Sequence, residues 1–454
     1  MKLTVIGGGG VRSLFLARSI AARAKGLGIR ELVFMDNDAK KLRIYGTLAR
    51  ETAKRIDPDL DFVLTENAAS AIQDADYVIT TIRVGGDDMR VRDERIALSH
   101  GVLGQETTGA AGLSFAMRSV AALCEYCELV KRLAKPNCKI FNFTNPAGVV
   151  SQTLRDMGYD FTYGICDAPS GMLRSFEKLY GAPEGSAAGE VYGLNHLSYF
   201  SSVTVNGREV LRELIENPRA YKETDMRYFS PDLLKSRHAV LNEYLYYFYY
   251  REQAVENILN AKSTRGEQIA DINRRMTAAL ENIDIEKDFE RALEIFEQYY
   301  GERENNYMAA ETGVRRETPW HFDVFGKDDG GYAGVALRYI ELEQTGKRGS
   351  MILCVPNGSA IEGLLPTDIV EITCDITENG AVPHHFGAVD AQNLELIRRV
   401  KIYERLASRA IREKSVQTAV EALTLHPLVN SYSLAKKLIA EYLELNKDYT
   451  KGWA

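Results

Sequence analysis

The stretch Lys2-Leu3-Thr4-Val5-Ile6-Gly7-Gly8-Gly9-Gly10-Val11-Arg12 decides the fold of this chain. Lys2 to Ile6 is a short, mostly apolar run, four glycines close it, and Ser13-Leu14-Phe15-Leu16-Ala17-Arg18 follows directly. That order predicts a strand, a tight turn and a helix N-terminus. Such a turn lets the backbone approach a pyrophosphate, and the helix amides and dipole favour its negative charge. A second apolar run, Glu31-Leu32-Val33-Phe34-Met35, ends in Asp36, at about the spacing where an acidic side chain holds a ribose hydroxyl. Gly7, Gly8, Gly9, Gly10, Val11 and Asp36 therefore form a candidate dinucleotide site, with NAD as the expected cofactor. Counted from Gly7 and Gly9, the third glycine of the usual fingerprint is replaced by Arg12.

Outward from this turn the first half alternates strands and helices. A polar helix is expected near residues 40–56, strands near 62–64 and 77–82, a helix over 113–133 and a strand over 139–143. Alternation of this kind implies a parallel, doubly wound sheet with right-handed crossovers. The turns Arg83-Val84-Gly85-Gly86 and Thr144-Asn145-Pro146-Ala147-Gly148 follow strands, so both should face a site beyond the strand ends. Arg83 is placed with the cofactor on this ground.

From about Asp160 the pattern becomes mixed. Apparent strands end at Cys166 and at His196, and Asn206-Gly207 predicts a hairpin turn. Long helices are expected over 242–253, which is rich in tyrosine, and over the charged 254–310, with a final helical stretch over 393–449. The expected architecture is α/β: a Rossmann-type NAD-binding domain over residues 1–165 and a C-terminal α/β lobe over 166–454 that completes the active site.

Composition bounds the partners. At 454 residues the chain exceeds what one core usually covers, which predicts two substantial lobes. A formal charge of −7 argues against nucleic acid or an anionic membrane surface as a main partner. No apolar stretch is long enough to cross a bilayer, and the first strand begins at once, without a signal-peptide pattern. The six cysteines are scattered, as expected for reduced thiols in a cytoplasm. Cys124 and Cys127 have CxxC spacing within a helical stretch, with no second pair nearby to make a zinc or redox site.

Several residues could carry chemistry. Cys166 and His196 offer a thiolate and an imidazole for a divalent metal with positions left open for substrate oxygens. Taken alone, such a cysteine is more often a buried apolar filler and an Asn-His turn more often structural. Arg83, Arg90, Arg92, Arg95 and the later Arg265 present forked donors suited to phosphate or carboxylate, or a solvated loop balanced by Asp87, Asp88, Asp93 and Glu94. Gly104-Gln105-Glu106-Thr107-Thr108-Gly109 is either a polar contact to cofactor or sugar hydroxyls, through Glu106, or simply a turn. Leu241 to Tyr250 packs aromatics too densely for one buried stripe, so some rings must line a cavity or an interface.

Together these motifs resemble glycoside hydrolase family 4, the NAD- and metal-dependent glycosidases. The resemblance runs nearly end to end: the glycine turn, Arg83 to Gly86, Asp93 to Ile96, Gly101 to Thr107, Asn142 to Pro146, Gly164 to Cys166 with Pro169, Gly193 to His196, Lys401 to Arg405 and Leu425 to Pro427. It implies hydrolysis outside the usual two-carboxylate scheme. NAD⁺ takes a hydride from C3 of the sugar, which acidifies the C2 proton; a base removes that proton; the aglycone leaves, water adds and the hydride returns. The resemblance implies Mn²⁺ held by Cys166 and His196, Tyr244 as the base, Arg95 and Arg265 toward a sugar 6-phosphate, Asn145 toward the sugar hydroxyls, and a dimer or tetramer. Asp167 after the metal cysteine is similar to the 6-phospho-α-glucosidases, where that aspartate acts as an acid for the leaving group. Other stretches look more like the 6-phospho-β-glucosidases, and a 6-phospho-β-glucoside is the favoured substrate. A malate- or lactate-type dehydrogenase, a non-catalytic NAD-binding sensor, and a family member acting on unphosphorylated sugars or uronides are the alternatives. The first needs a His/Asp pair over a 2-hydroxy acid where this chain puts cysteine and histidine, and the second leaves Cys166, His196, Tyr244 and the arginines without purpose. Asp167 argues against the third, whose members tend to carry histidine there.

Overall fold

The computed structural model describes residues 1–316, 318–326, 333–378 and 380–454. Strands β1 (Lys2–Ile6), β2 (Glu31–Met35), β3 (Asp61–Thr65), β4 (Tyr77–Thr80), β5 (Lys139–Asn142) and β6 (Thr162–Gly164) lie parallel in the order β6-β5-β4-β1-β2-β3. The inner strands read as continuous apolar runs because helices cover both faces of a parallel sheet: Leu3, Val5 and Ile6 of β1 are fully buried, as are Val78 and Ile79 of β4. The order reverses between β1 and β4, and the carboxyl ends of all six strands point to one edge.

The second half divides its strands between two sheets. A small antiparallel sheet holds β7 (Ala187–Leu194), β8 (Leu197–Val205), β9 (Arg208–Glu209) and β10 (Val240–Leu241). Asn206 and Gly207 turn β8 into β9 with φ of 51° and 74°, the left-handed pair that an Asn-Gly hairpin needs. Strands β11 (Ser350–Pro356), β12 (Ile369–Thr377) and β13 (Gly380–Pro383) instead continue the first sheet, with β11 antiparallel to β6 through Cys354 and Gly164. The two expected lobes thus share one nine-stranded sheet.

Three helical expectations are corrected. The helix near 40–56 is Ala39–Lys41, a π-turn over Leu42–Gly46, and Thr47–Ile56, so its entry is widened beside the glycine turn. The tyrosine-rich helix is broken. Asn242 caps a 3-10 turn over Glu243–Leu245, a single turn covers Tyr246–Tyr249, Tyr250 leaves helical geometry, and Arg251–Asn260 resumes. Backbone pairing of Val240 and Leu241 with β8 holds the start of this segment extended, and its rings pack in several directions at once. The C-terminal stretch is three helices, Ala391–Glu413, Val416–Leu425 and Tyr432–Leu445, the last two started by Ser415 and Ser431 side chains that accept from backbone amides. Cys124 and Cys127 lie in one helix, Ala110–Leu133, and all six cysteines are free. Among the described residues no helix is long and apolar enough to cross a membrane.

A buried polar knot ties the C-terminal helix to the first lobe. Arg118 Nη2 donates to Asp93 Oδ2 at 2.6 Å, Ser114 Oγ donates to Asp93 Oδ1 at 2.6 Å, and Arg118 Nη1 donates to Asn446 Oδ1 at 2.8 Å. Tyr442 adds a hydrogen bond to the Asp93 carbonyl at 3.1 Å. Removing one member of such a buried pair leaves the other charge unpaired, at a cost of about 3–5 kcal/mol. Asp93→Ala should therefore lower unfolding free energy in urea by about that amount, and a loss below about 1 kcal/mol would show that the knot is not a structural tie.

Candidate active site

At the common edge of the six strands lies a cavity of about 750 Å³. Residues just past the strand ends line it: Gly7, Gly9, Gly10 and Val11 after β1, Asp36 after β2, Arg83 after β4, Asn145 after β5, and Cys166 and Asp167 after β6. His196, Tyr244 and Arg265 close it from the second lobe, and Glu106 also lines it.

The glycine turn is shaped by contacts that no side chain would permit. The Gly7 and Gly8 amides both donate to the Met35 carbonyl, at 2.9 and 2.8 Å. A Cβ on Gly7, whose φ is 99°, would stand 2.4 Å from the Thr81 carbonyl oxygen, and one on Gly8 would stand 2.5 Å from Phe34 Cβ. Gly8 thus packs inward on the sheet and does not line the cavity, whereas Gly7, Gly9 and Gly10 do. Gly9 donates to Asp36 Oδ2 at 2.9 Å and Asp38 N donates to Oδ1 at 3.0 Å, which fixes the carboxylate at the cavity rim. Burial raises the Asp36 carboxyl above its ordinary value despite these amides.

The arginines sort by helical face. Along the helix Gly86–Ser99, Arg90, Asp93 and Glu94 are buried. Arg95 lies on the outer side, half exposed, with its fork on the Glu267 carboxylate at 2.7 and 2.6 Å. It is not among the residues lining the cavity, so the structure does not bring it to the other expected site residues. Its partner Glu267 belongs to the capping box of the helix Arg265–Leu280. Glu106 is gripped by two of the other arginines, Arg83 at 2.5 Å and Arg90 at 3.2 Å. Burial alone would raise its carboxyl, but the two guanidiniums hold it well below the usual carboxylate range.

Arg265 opens its helix at the cavity wall and donates through Nη2 to the Arg303 carbonyl at 2.9 Å. Its Nη1 and the Nε of Arg303 are buried with no hydrogen-bond partner. Burial, and then repulsion from Arg12 and Arg265, lowers the Arg303 guanidinium from its ordinary value. Donors held buried and unmatched against like charges suit an anion. Sequence reading missed Arg303, which sits inside a charged helix with nothing local to mark it.

His196 sits in the two-residue turn between β7 and β8 with φ of 63°. The turn is held from below by Glu371 of β12, which accepts from Asn195 Nδ2 at 2.9 Å and Ser198 Oγ at 2.7 Å. Burial pushes the His196 imidazole down to about 4, so it is neutral at pH 7, and its Nδ1 is buried with no partner. Burial, with the Glu371 and Asp167 charges, raises the Cys166 thiol well above its ordinary value. Among the described residues no three His, Cys, Asp or Glu side chains converge as a metal set. A neutral imidazole with an unmatched nitrogen and a thiol lining the same cavity nonetheless fit a divalent ion whose other positions are open.

The Tyr244 ring stacks on His196, with centroids 3.7 Å apart and planes 7° from parallel. Its hydroxyl lies 3.5 Å from that of Tyr307, which lies 3.4 Å from Glu243 Oε1. Glu243, Tyr307 and Asp225 also line the cavity, and the sequence reading did not single them out. Glu243 had one signal, its place beside Tyr244 in an otherwise apolar and aromatic run.

The chain is similar along its length to known proteins. The chain is 30% identical over 99% of its length to the whole of 6-phospho-β-glucosidase BglT of Thermotoga maritima. It is 28% identical over 99% of its length to 98% of the 6-phospho-α-glucosidase of Leptotrichia buccalis. The solved structure of the Thermotoga maritima 6-phospho-β-glucosidase with manganese, NAD⁺ and glucose 6-phosphate superposes with a TM-score of 0.81 at 28% identity, covering 99% of each chain. The family model described as family 4 glycosyl hydrolase matches residues 2–182, its C-terminal domain matches residues 191–429, and the chain therefore belongs to the family 4 glycosyl hydrolases.

Proposed function

We propose that this chain hydrolyses 6-phosphoglucosides with NAD⁺ and a divalent metal, Mn²⁺ being the expected ion. The observation that carries the reading is the single cavity that joins unmatched guanidine donors, Arg265 Nη1 and Arg303 Nε, to Cys166, His196 and Tyr244. A phosphorylated sugar held by these guanidines would share the cavity with the thiol, imidazole and phenol. The relatives act on 6-phosphoglucosides of either anomer, and one was solved with manganese, NAD⁺ and glucose 6-phosphate.

The turn at Gly7 to Gly10 and the Asp36 carboxylate would hold the dinucleotide at the rim, and Cys166 with neutral His196 would hold the ion. When bound, NAD⁺ supplies a reversible hydride acceptor for C3, which acidifies the C2 hydrogen, and the ion supplies a Lewis acid for the neighbouring sugar oxygens. Arg265, with Arg303, orients the 6-phosphate, and Asn145 meets the sugar hydroxyls. Tyr244 takes the C2 proton. Stacking on His196 fixes its ring, while burial and the Glu243 charge raise its phenol well above the ordinary value, so it needs local positive charge to act as a base. Asp167 lines the cavity at the N-terminus of the helix Ala168–Tyr180 with no cap hydrogen bond to its side chain, and is assigned to the leaving oxygen.

A β-glucoside is the favoured substrate, supported by the likeness to the Thermotoga maritima enzyme. The α reading has one specific observation, Asp167 after Cys166.

With NAD⁺, Mn²⁺ and a thiol reductant, one anomer of nitrophenyl glucoside 6-phosphate should be cleaved without accumulation of NADH. Equal cleavage of unphosphorylated nitrophenyl glucoside would end the phosphate reading, and preference for the α anomer would replace β with α. Cys166→Ser and His196→Ala should each weaken Mn²⁺ binding, followed by electron paramagnetic resonance, by about tenfold or more, with activity falling in parallel. Unchanged Mn²⁺ binding in both would move the metal elsewhere. Asp167→Asn should slow alkyl glycosides about a hundredfold and nitrophenyl glycosides far less, since only a poor leaving group needs the proton. Equal loss on both substrate types would remove Asp167 as the acid.

A further inference from the structure

Among the described residues, Tyr449 is the one large apolar or aromatic side chain that is exposed, at 44%, and also lines the active-site cavity. It belongs to the turn after the helix Tyr432–Leu445, beyond residues 191–429 over which the family's C-terminal domain matches. Its amide donates to the Asn446 carbonyl at 2.7 Å, and Asn446 Oδ1 accepts from Arg118 Nη1 at 2.8 Å. The buried knot around Asp93 thus extends to this turn and ties it to the helix Ala110–Leu133.

Arg118, Ala122 and Tyr126 follow at four-residue intervals along that helix and so share one face. Every residue that the helix contributes to the cavity is apolar or aromatic: Phe115, Ala122 and Tyr126. Asp36, the acid expected to hold a ribose hydroxyl, lines the same cavity. Burial first, and then the Asp36 charge, raises the Tyr126 phenol above its ordinary value, so the two side chains lie within electrostatic reach.

We propose that the adenine ring of NAD⁺ stacks on the Tyr449 ring, with Ala122 and Tyr126 forming a wall beside it. The inference rests on NAD⁺ as the cofactor and on Asp36 holding the adenosine ribose. A dinucleotide with its pyrophosphate on the glycine turn and its ribose on Asp36 carries its base on past that carboxylate. A purine has two flat π-faces and keeps its polar atoms at the edge, so it suits aromatic and small side chains better than ionised ones. Tyr449 offers such a face at little cost to the fold, because its ring is already open to solvent. The small Ala122 side chain leaves room on the neighbouring wall. The C-terminal turn then shares in binding the cofactor, a part that the glycine turn and Asp36 do not foretell.

The test is titration calorimetry on the full chain with NAD⁺ and with ADP-ribose, which keeps the adenosine and lacks the nicotinamide. Wild type, Tyr449→Ala and Tyr449→Phe are compared, and melting temperatures without ligand check that each is folded. Loss of the stack should raise Kd for both ligands about fivefold or more in Tyr449→Ala, whereas Tyr449→Phe keeps the ring and should stay within about twofold of wild type. Should Tyr449→Ala fail to fold, Tyr449→Leu removes the π-face at similar size and carries the same expectation. Unchanged affinity in the folded variant without the ring overturns the stack. Equal weakening in Tyr449→Phe overturns it too, since the hydroxyl would then be what binds. Weakening for NAD⁺ with none for ADP-ribose would put the ring beside the nicotinamide and end the adenine assignment. A wild-type chain that binds neither ligand ends the cofactor reading itself, whereas wild-type binding with an indifferent Tyr449→Ala ends only the stack.

Discussion

Parallel alignment is the constraint on which the rest of this structure depends. Because β1 to β6 run the same way, every strand delivers its following turn to the same edge. Residues as far apart in sequence as Gly7, Asp36, Arg83, Asn145 and Cys166 become neighbours on one cavity wall for that reason alone. The alignment is stabilised by burial on both faces, which forces the inner strands to be apolar throughout and leaves polar chemistry to the turns. The second lobe adds three strands to the same sheet, and Glu371 on one of them braces the turn that presents His196.

Charged groups of both signs line the cavity. Arg265 and Arg303 keep guanidine donors unmatched, with like charges pressing on Arg303. The Asp167 and Asp225 charges with burial raise the proton affinity of Glu243, and burial lowers that of His196. Unmatched guanidines suit an anion, and a neutral imidazole with a thiol suits a cation. Neither arrangement would persist on an exposed surface, where water and salt would screen the unmatched charges.

Much of this arrangement is legible in the sequence, and what is not has physical causes. Apolar runs punctuated by glycine and acidic residues located β1, β2 and the dinucleotide turn, since strand burial and turn geometry are local properties. Arg95 was grouped with its neighbours, but at 3.6 residues per turn it lies on the solvent side of its helix while Arg90 and Glu94 face inward. The tyrosine-rich segment has the sequence of one helix. Pairing of Val240 and Leu241 with β8 and ring contacts on several sides break it into short turns, which brings Tyr244 flat against His196.

What the sequence by itself determined is therefore the parallel alternation of strands and helices in the first half, the glycine turn, the family, and the thiol, imidazole and phenol in the cavity. Each of these is carried by a pattern of a few adjacent residues. Only the tertiary structure decided which charged side chains join them. Arg303 and Tyr307 come from one helix and the turn after it, Asp225 and Glu243 from short turns 60 or more residues earlier, and none carries a local signature strong enough to mark it. The chain packs these segments against the strand ends. Burial and mutual charge, which exist only after packing, then give their guanidines and carboxyls the proton affinities that suit the site.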